Sequence, residues 1–196
     1  RTIAEKLAGF VTALDYASIP TTIRAQAKLH LLDSVGIALA STGFDFARKA
    51  CAGLAALGLG EYTVIGMPAK LALRDSVLMN GMLVHGLEFD DTAIRGRIHP
   101  SAFAVPCALG AGAFAQAPGK EVLAAVVLGY DAQARVGLAV SPSIYVDRTY
   151  LAPGTLGIFG AAAILWPAFA AQPASTQAIP DFSGVWTRTW KIPGTF

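Results

Sequence analysis

The chain has 196 residues, enough for one domain and a tail, and its 15 Lys and Arg nearly balance its 13 Asp and Glu. Hydrophobic residues make up 54% and charged residues 14%, against about 25% charged in an average soluble domain. This composition excludes an intrinsically disordered chain. The net charge of +2 gives no strong attraction to nucleic acid or anionic membranes, so neither is expected as a partner.

Cysteine usage and the scarcity of charge suggest where and how the chain exists. Cys51 and Cys107 are far apart and form no CxxC pair, which favours reduced thiols and a cytoplasmic location over a disulfide scaffold. A chain this poor in charge and rich in Ala and Gly typically buries part of its surface in an interface with a partner. We therefore expect a homo-oligomer.

The hydrophobic spacing predicts helices through most of the chain. The expected helices cover residues 2–16, 20–43, 46–57, 71–86, 101–116 and 120–140. Residues 62–65 are β-branched and lie near glycines, which predicts an isolated strand or an extended connection. No long alternating run occurs, so we expect an all-α, multi-helix bundle over residues 1–165. Residues 166–196 hold all three tryptophans and many prolines, and are predicted to be a short irregular tail.

Two uncharged stretches, residues 100–119 and 149–180, are long enough to cross a membrane. Prolines interrupt both stretches. The preferred interpretation is buried core helices and no membrane partner, with a small membrane protein as the alternative.

Polar chemistry concentrates in residues 85–100, HGLEFDDTAIRGRIHP, between two apolar helices. Acids, bases and a hydroxyl lie together there, as proton transfer beside a carboxylate substrate requires. A solvated charged face is the simpler alternative, in which Arg95 and Arg97 pair with Asp90 and Asp91. A hard cation on Glu88, Asp90 and Asp91 is a weaker alternative, because no known metal-ligand spacing occurs. We expect no metal and no cofactor.

Several blocks in this order resemble the N-terminal helical domain of the MmgE/PrpD family. They are LLDSVGIALA (31–40), YTVIG, NGMLVHGLEFDDT (80–92), HPSAFAVPCALGAGA (99–113), LGYDAQARVGLA and PGTLGIFGAAA (153–163). The family includes 2-methylcitrate dehydratase, cis-aconitate decarboxylase and iminodisuccinate epimerase. The resemblance covers about residues 3–165 and implies a helical bundle.

The resemblance also implies roles for the loop residues. His99 matches the motif histidine and would transfer the proton, while Thr92 and Glu88 would orient it or the substrate hydroxyl. Four further loop residues are expected to contact a small polycarboxylate substrate: Asp91, Arg95, Arg97 and His85. His30, on a predicted helix among leucines, is expected to be structural.

The implied activity is proton abstraction and water loss of the 2-methylcitrate dehydratase type, without a metal. Decarboxylation or epimerisation by the same site is the close alternative. Family members carry a histidine before the later GT, where this chain has Leu151, and their second domain has no counterpart here. A catalytically inactive, truncated member that keeps the helical dimerisation core is therefore the other hypothesis.

Overall fold

A computed structural model describes residues 2–94, 96–139 and 156–164. The described part is mainly helical, as the sequence predicted, with one two-stranded antiparallel sheet. In chain order the elements are α1 Ile3–Ala13, a 3-10 turn Tyr16–Ser18, α2 Thr21–Ser41, α3 Asp45–Leu57, β1 Leu59–Thr63, β2 Lys70–Leu71, α4 Leu73–His85, α5 Ser101–Ala115, α6 Gly119–Ala139, and α7 at 156–164. The predicted tail, residues 166–196, and Leu151 lie outside the described residues.

Helices α2, α4, α5 and α6 form the central bundle, since α2 contacts the other three and α5 lies between α4 and α6. One buried cluster joins α2, α3, the hairpin and α4, and includes Met79 and Leu83. A second joins α5, α6 and α7, and includes Val105, Val126 and Ile164. Burial of these apolar side chains is the main favourable term that holds the bundle together.

Small residues let α4, α5 and α6 approach one another closely. A Cβ on Gly110 of α5 would collide with Val77 of α4, and one on Gly112 would collide with Val122 of α6. The Gly-Ala-Gly run therefore serves helix packing. Cys107 lies in the same helix and is buried.

Residues 62–65 are neither an isolated strand nor a simple connection. Strand β1 begins earlier, at Leu59, and pairs with β2 in a hairpin whose register places Thr63 opposite Lys70. Asn80 of α4 fixes the hairpin: its Oδ1 accepts from the backbone N of Ile65 at 2.8 Å, and its Nδ2 donates to the Thr63 carbonyl at 3.1 Å. Strand β2 has only two residues, Lys70–Leu71, too few to show an alternating pattern in the sequence.

Helix α6 is long and apolar enough to cross a membrane by length and composition, a test that core helices of soluble proteins also pass. It packs against α5 and α2, and its buried residues include the polar Gln133. Residues 100–119, one of the two predicted candidates, contain α5, which packs between α4 and α6. Most of the other candidate, residues 149–180, lies outside the described residues.

Candidate functional site

The site lies in the loop that connects the C-terminus of α4 to the N-terminus of α5. Within it, Ala93 and Ile98 form an antiparallel bridge, in which the Ala93 N donates to the Ile98 carbonyl at 2.9 Å. Ile98 is fully buried and packs with Leu156 and Val136. This anchor fixes the polar residues on either side of the bridge, so that Asp90 and His99 meet although they are far apart along the loop.

Asp90 is the centre of the site, and its side chain is 0% exposed. Its Oδ1 lies 3.1 Å from Nδ1 of His85 and 3.6 Å from Nδ1 of His99. The two imidazole rings are 5.1 Å apart between centroids. The structure thus places a buried carboxylate between two half-buried imidazoles. The family resemblance implied roles for both histidines, whereas Asp90 was considered only as a partner of an arginine or of a hard cation.

His99 has one ring nitrogen facing inward. Its Nδ1 lies 3.5 Å from Oγ1 of Thr92 and close to Asp90. Among the described residues, Nε2 of His99 has no hydrogen-bond partner, and the side chain is 22% exposed. Nε2 is therefore the atom that can exchange a proton with a bound molecule, while Thr92 and Asp90 face the opposite side of the ring.

Glu88 lies at the edge of the cluster. Its side chain is 73% exposed, and its Oε1 is 3.5 Å from Nε2 of His85. Both ring nitrogens of His85 therefore face carboxylates, so His85 is less suited than His99 to take a proton from a substrate. Glu88 has a left-handed backbone with φ of 54° and shares this feature with Arg97, at 50°.

Asp91 ties the loop to two helices. Its Oδ1 accepts from the backbone N of Ser101 at 3.1 Å, and its Oδ2 lies 3.3 Å from Nδ1 of His30 on α2. A carboxylate is favourable at the N-terminus of α5, because the N–H groups there lack intrahelical partners. Burial, aided by the negative charge of Asp91, raises the pKa of Tyr130. The contact between Asp91 and His30 gives His30 a structural partner that the sequence did not indicate.

Arg97 does not pair with a loop carboxylate, as the simpler interpretation of the sequence would have it. Asp90 and Asp91 are paired with histidines and a backbone N–H, and Arg97 makes no ion pair with either of them in the described part of the chain. Arg97 is exposed. Arg95 lies outside the described residues, so its predicted contact with substrate stays a prediction.

Two pockets border the described bundle. One, of about 470 Å³, lies beside the loop and is lined by Ala93, Pro100, His30, Tyr130 and residues of α2 and α6. The other, of about 640 Å³, lies between the 3-10 turn, α5 and α6. Neither is lined by Asp90 or the two imidazoles around it. The pocket beside the loop thus borders Ala93 and Pro100 and not the cluster around Asp90.

Three side chains could hold a metal ion together: His85, Asp90 and His99, one ligand atom of each lying within 4.8 Å of the others. The sequence interpretation considered only the carboxylates of the loop. The set was missed because its members show no metal-ligand spacing in the sequence. His85 is the last residue of α4, whereas Asp90 and His99 lie in the loop before α5.

The fold and the site together define a helical-bundle domain with an imidazole–carboxylate cluster in the loop between two core helices. Residues 5–176 match the model of the MmgE/PrpD N-terminal domain, and the chain belongs to the MmgE/PrpD family. It is 24% identical over 185 residues to the cis-aconitate decarboxylase-like protein oryM of Aspergillus oryzae, covering 90% of this chain and 38% of that protein. It is 26% identical over 169 residues to cis-aconitate decarboxylase of Mus musculus, covering 83% and 34%. The chain thus spans little more than a third of these relatives.

Proposed function

We propose that this chain is the helical part of a lyase that removes water from a small polycarboxylate, as 2-methylcitrate dehydratase does. The observation that carries the proposal is Nε2 of His99, which has no hydrogen-bond partner in the described part of the chain and whose ring is backed by the buried Asp90. In the reaction, Nε2 takes a proton from the carbon beside a carboxylate. The electron pair forms the carbon–carbon double bond, the C–O bond on the neighbouring carbon breaks, and the departing hydroxide takes up a proton, from His99 or from solvent, to leave as water.

The buried carboxylate favours the charged state that His99 adopts on taking the proton. A pair of opposite charges about 4 Å apart attracts by about 4 kcal/mol at an effective dielectric of 20. A positioned acid–base group contributes about 10²–10⁴ in rate. Thr92, 3.5 Å from the ring, would orient His99 or the leaving hydroxyl, and Glu88 would do so from the exposed side.

An anionic substrate must be compensated by positive charge. Asp90 and Asp91 already have imidazole or N–H partners, so neither requires an arginine. This leaves Arg97 for the substrate carboxylates, with Arg95 as the second proposed cation. Further cations would come from the part of the protein that corresponds to the remaining length of its relatives, or from a second subunit.

A homo-oligomer in the cytoplasm remains part of the proposal. Large apolar side chains are exposed on α2 and on the loop: Leu29 at 59%, Leu32 at 68%, Phe89 at 81% and Ile94 at 83%. Exposed apolar side chains grouped in this way are typical of a surface that another chain or domain covers.

Decarboxylation is the second candidate, because both relatives are named as cis-aconitate decarboxylases or similar proteins. In that reaction the C–C bond to one carboxylate breaks. The carboxylate leaves as CO₂, and the electron pair of the bond stays on the substrate carbon. His99 would then supply the proton that the resulting carbanion takes up. The same Nε2 atom serves both reactions, in opposite directions of proton transfer.

The test is an assay of the purified protein on a panel of polycarboxylates that includes 2-methylcitrate and cis-aconitate. Ultraviolet absorbance of the unsaturated product reports dehydration, and released CO₂ reports decarboxylation. His99→Gln should lower either activity by about 10²–10⁴. His30→Gln is the matched control, because that imidazole pairs with Asp91 outside the cluster, and it should retain activity. A flat response to the whole panel would favour the inactive, truncated member.

A further inference from the structure

The carboxylate of Asp90 has imidazole neighbours but no permanently charged partner among the described residues. It is fully buried, and in the described ranges no Lys or Arg contacts it. Its neighbours are two imidazoles, which carry positive charge only when protonated. A buried charge is costly unless it is paired or coordinates a metal. Either protonated histidine or a bound cation would therefore stabilise this site.

The distances around Asp90 match those that a small cation imposes on its ligands. Zinc binds imidazole nitrogen and carboxylate oxygen at about 2.0–2.2 Å, so neighbouring ligands in a tetrahedral site are about 3.4 Å apart. Oδ1 of Asp90 lies 3.1 Å from Nδ1 of His85 and 3.6 Å from Nδ1 of His99. The three ligand atoms all lie within 4.8 Å of one another.

We propose that His85, Asp90 and His99 form a site for Zn²⁺. Three protein ligands leave the fourth tetrahedral position open to water or to a ligand carboxylate, as in zinc sites that exchange ligands. Two imidazoles favour zinc over magnesium or calcium, which prefer oxygen ligands. The site does not depend on the lyase activity proposed above, because it rests on the ligand set alone.

Occupation by zinc would change what His99 does. The ring would donate its Nδ1 lone pair to the metal, and its single ring proton would then lie on Nε2, which has no lone pair left to accept a proton from a substrate. Zinc binding and proton transfer by His99 therefore exclude each other. The metal would act as an inhibitor of the proposed reaction and not as its cofactor.

The test is calorimetric titration of the tag-free chain with Zn²⁺ at neutral pH, with Mg²⁺ as the comparison ion. We expect one zinc ion per chain, no comparable binding of Mg²⁺, and an affinity at least about tenfold lower in His85→Ala and Asp90→Asn. His30→Ala, the matched control, should bind zinc as the unaltered chain does. Circular dichroism of each variant checks that the helices are retained.

A second measurement needs no variant. The chain has three histidines, so imidazole NMR signals can be followed individually during the titration. Zinc should shift the signals of His85 and His99 and leave that of His30 unchanged. The proposal is overturned if zinc does not bind saturably, if both ligand variants bind it unchanged, or if His30 responds as strongly as the other two.

Discussion

Gly137 of helix α6 packs directly against Gly96 of the polar loop. A Cβ on Gly137 would lie 2.9 Å from the carbonyl oxygen of Gly96 and 3.0 Å from its Cα. The atoms that would be struck belong to the loop backbone, so they cannot move aside as the end of a flexible side chain can. The contact lies two residues before Ile98, the buried anchor that precedes His99, so it helps to position the site.

Gly137→Ala should therefore displace the loop. We expect it to lower the free energy of unfolding by about 1–3 kcal/mol, the usual cost of overpacking. Gly36→Ala is the matched control, because nothing lies within 4 Å of a Cβ on that exposed glycine of α2. That change should stabilise the chain by about 0.5–1 kcal/mol, since alanine favours helix. Urea unfolding of both variants measures the difference, and equal effects would contradict the packing argument.

Asp90→Asn should reduce the proposed lyase activity at least about tenfold, because a loss of about 1.4 kcal/mol of transition-state stabilisation has that effect. The amide keeps the size of the side chain but cannot stabilise a positively charged His99. The fall should appear in kcat more than in KM, since Asp90 is buried behind the ring. Asp45→Asn, on the exposed surface of α3, is the control and should have no effect. An unchanged kcat in Asp90→Asn would remove Asp90 from the mechanism.

Stability should fall in alkaline solution because of Cys107. Burial raises the pKa of this thiol from 9.0 to about 11. Above pH about 9 the unfolded chain releases the thiol proton while the folded chain keeps it, so folding loses about 2–3 kcal/mol as pH rises towards 11. The raised pKa of Tyr130 acts in the same direction at higher pH.

Unfolding by urea at a series of pH values measures this loss. Cys107→Ala should flatten the fall between pH about 9 and 10, whereas Cys51→Ala, also buried, should keep it. A fall of the same slope in Cys107→Ala would assign it to other groups.

Zinc should inhibit the proposed lyase activity, and this prediction depends on both the zinc site and the proposed function. Inhibition should weaken as pH falls, because protons and zinc compete for the same imidazole nitrogens. Added chelator should restore the rate. Zinc binding without inhibition would leave the metal site in place but argue against His99 as the group that transfers the proton.

Most of the helical architecture could be predicted from the sequence. The boundaries of α2 to α6 fall close to those that periodicity, prolines and glycines indicated. Asp131 and Arg135, four residues apart on α6, form an ion pair at 3.0 Å. These features depend on local spacing, which the sequence displays directly. The β1–β2 hairpin was missed, because β2 has only two residues and shows no alternating pattern.

The site was predictable as a region but not as an arrangement. The concentration of acids, histidines and arginines in residues 85–100 marked the loop, and the resemblance singled out His99, Thr92 and Glu88. The simpler alternative, in which the arginines pair with the loop carboxylates, does not hold for Arg97, because Asp90 and Asp91 have histidine partners instead. His30, which pairs with Asp91, comes from a helix far away in the sequence and carried no motif.

The sequence by itself determined the helical class, the family and the position of the polar loop, because composition, hydrophobic period and motif order are properties of the chain. Only the tertiary structure decided which of the loop carboxylates is buried. Burial depends on the Ala93–Ile98 bridge and on how α4 and α5 cross, and these bring Asp90 between two imidazoles while directing Asp91 to α2 and the N-terminus of α5. Two adjacent residues of the same type thus acquire different roles from their surroundings alone.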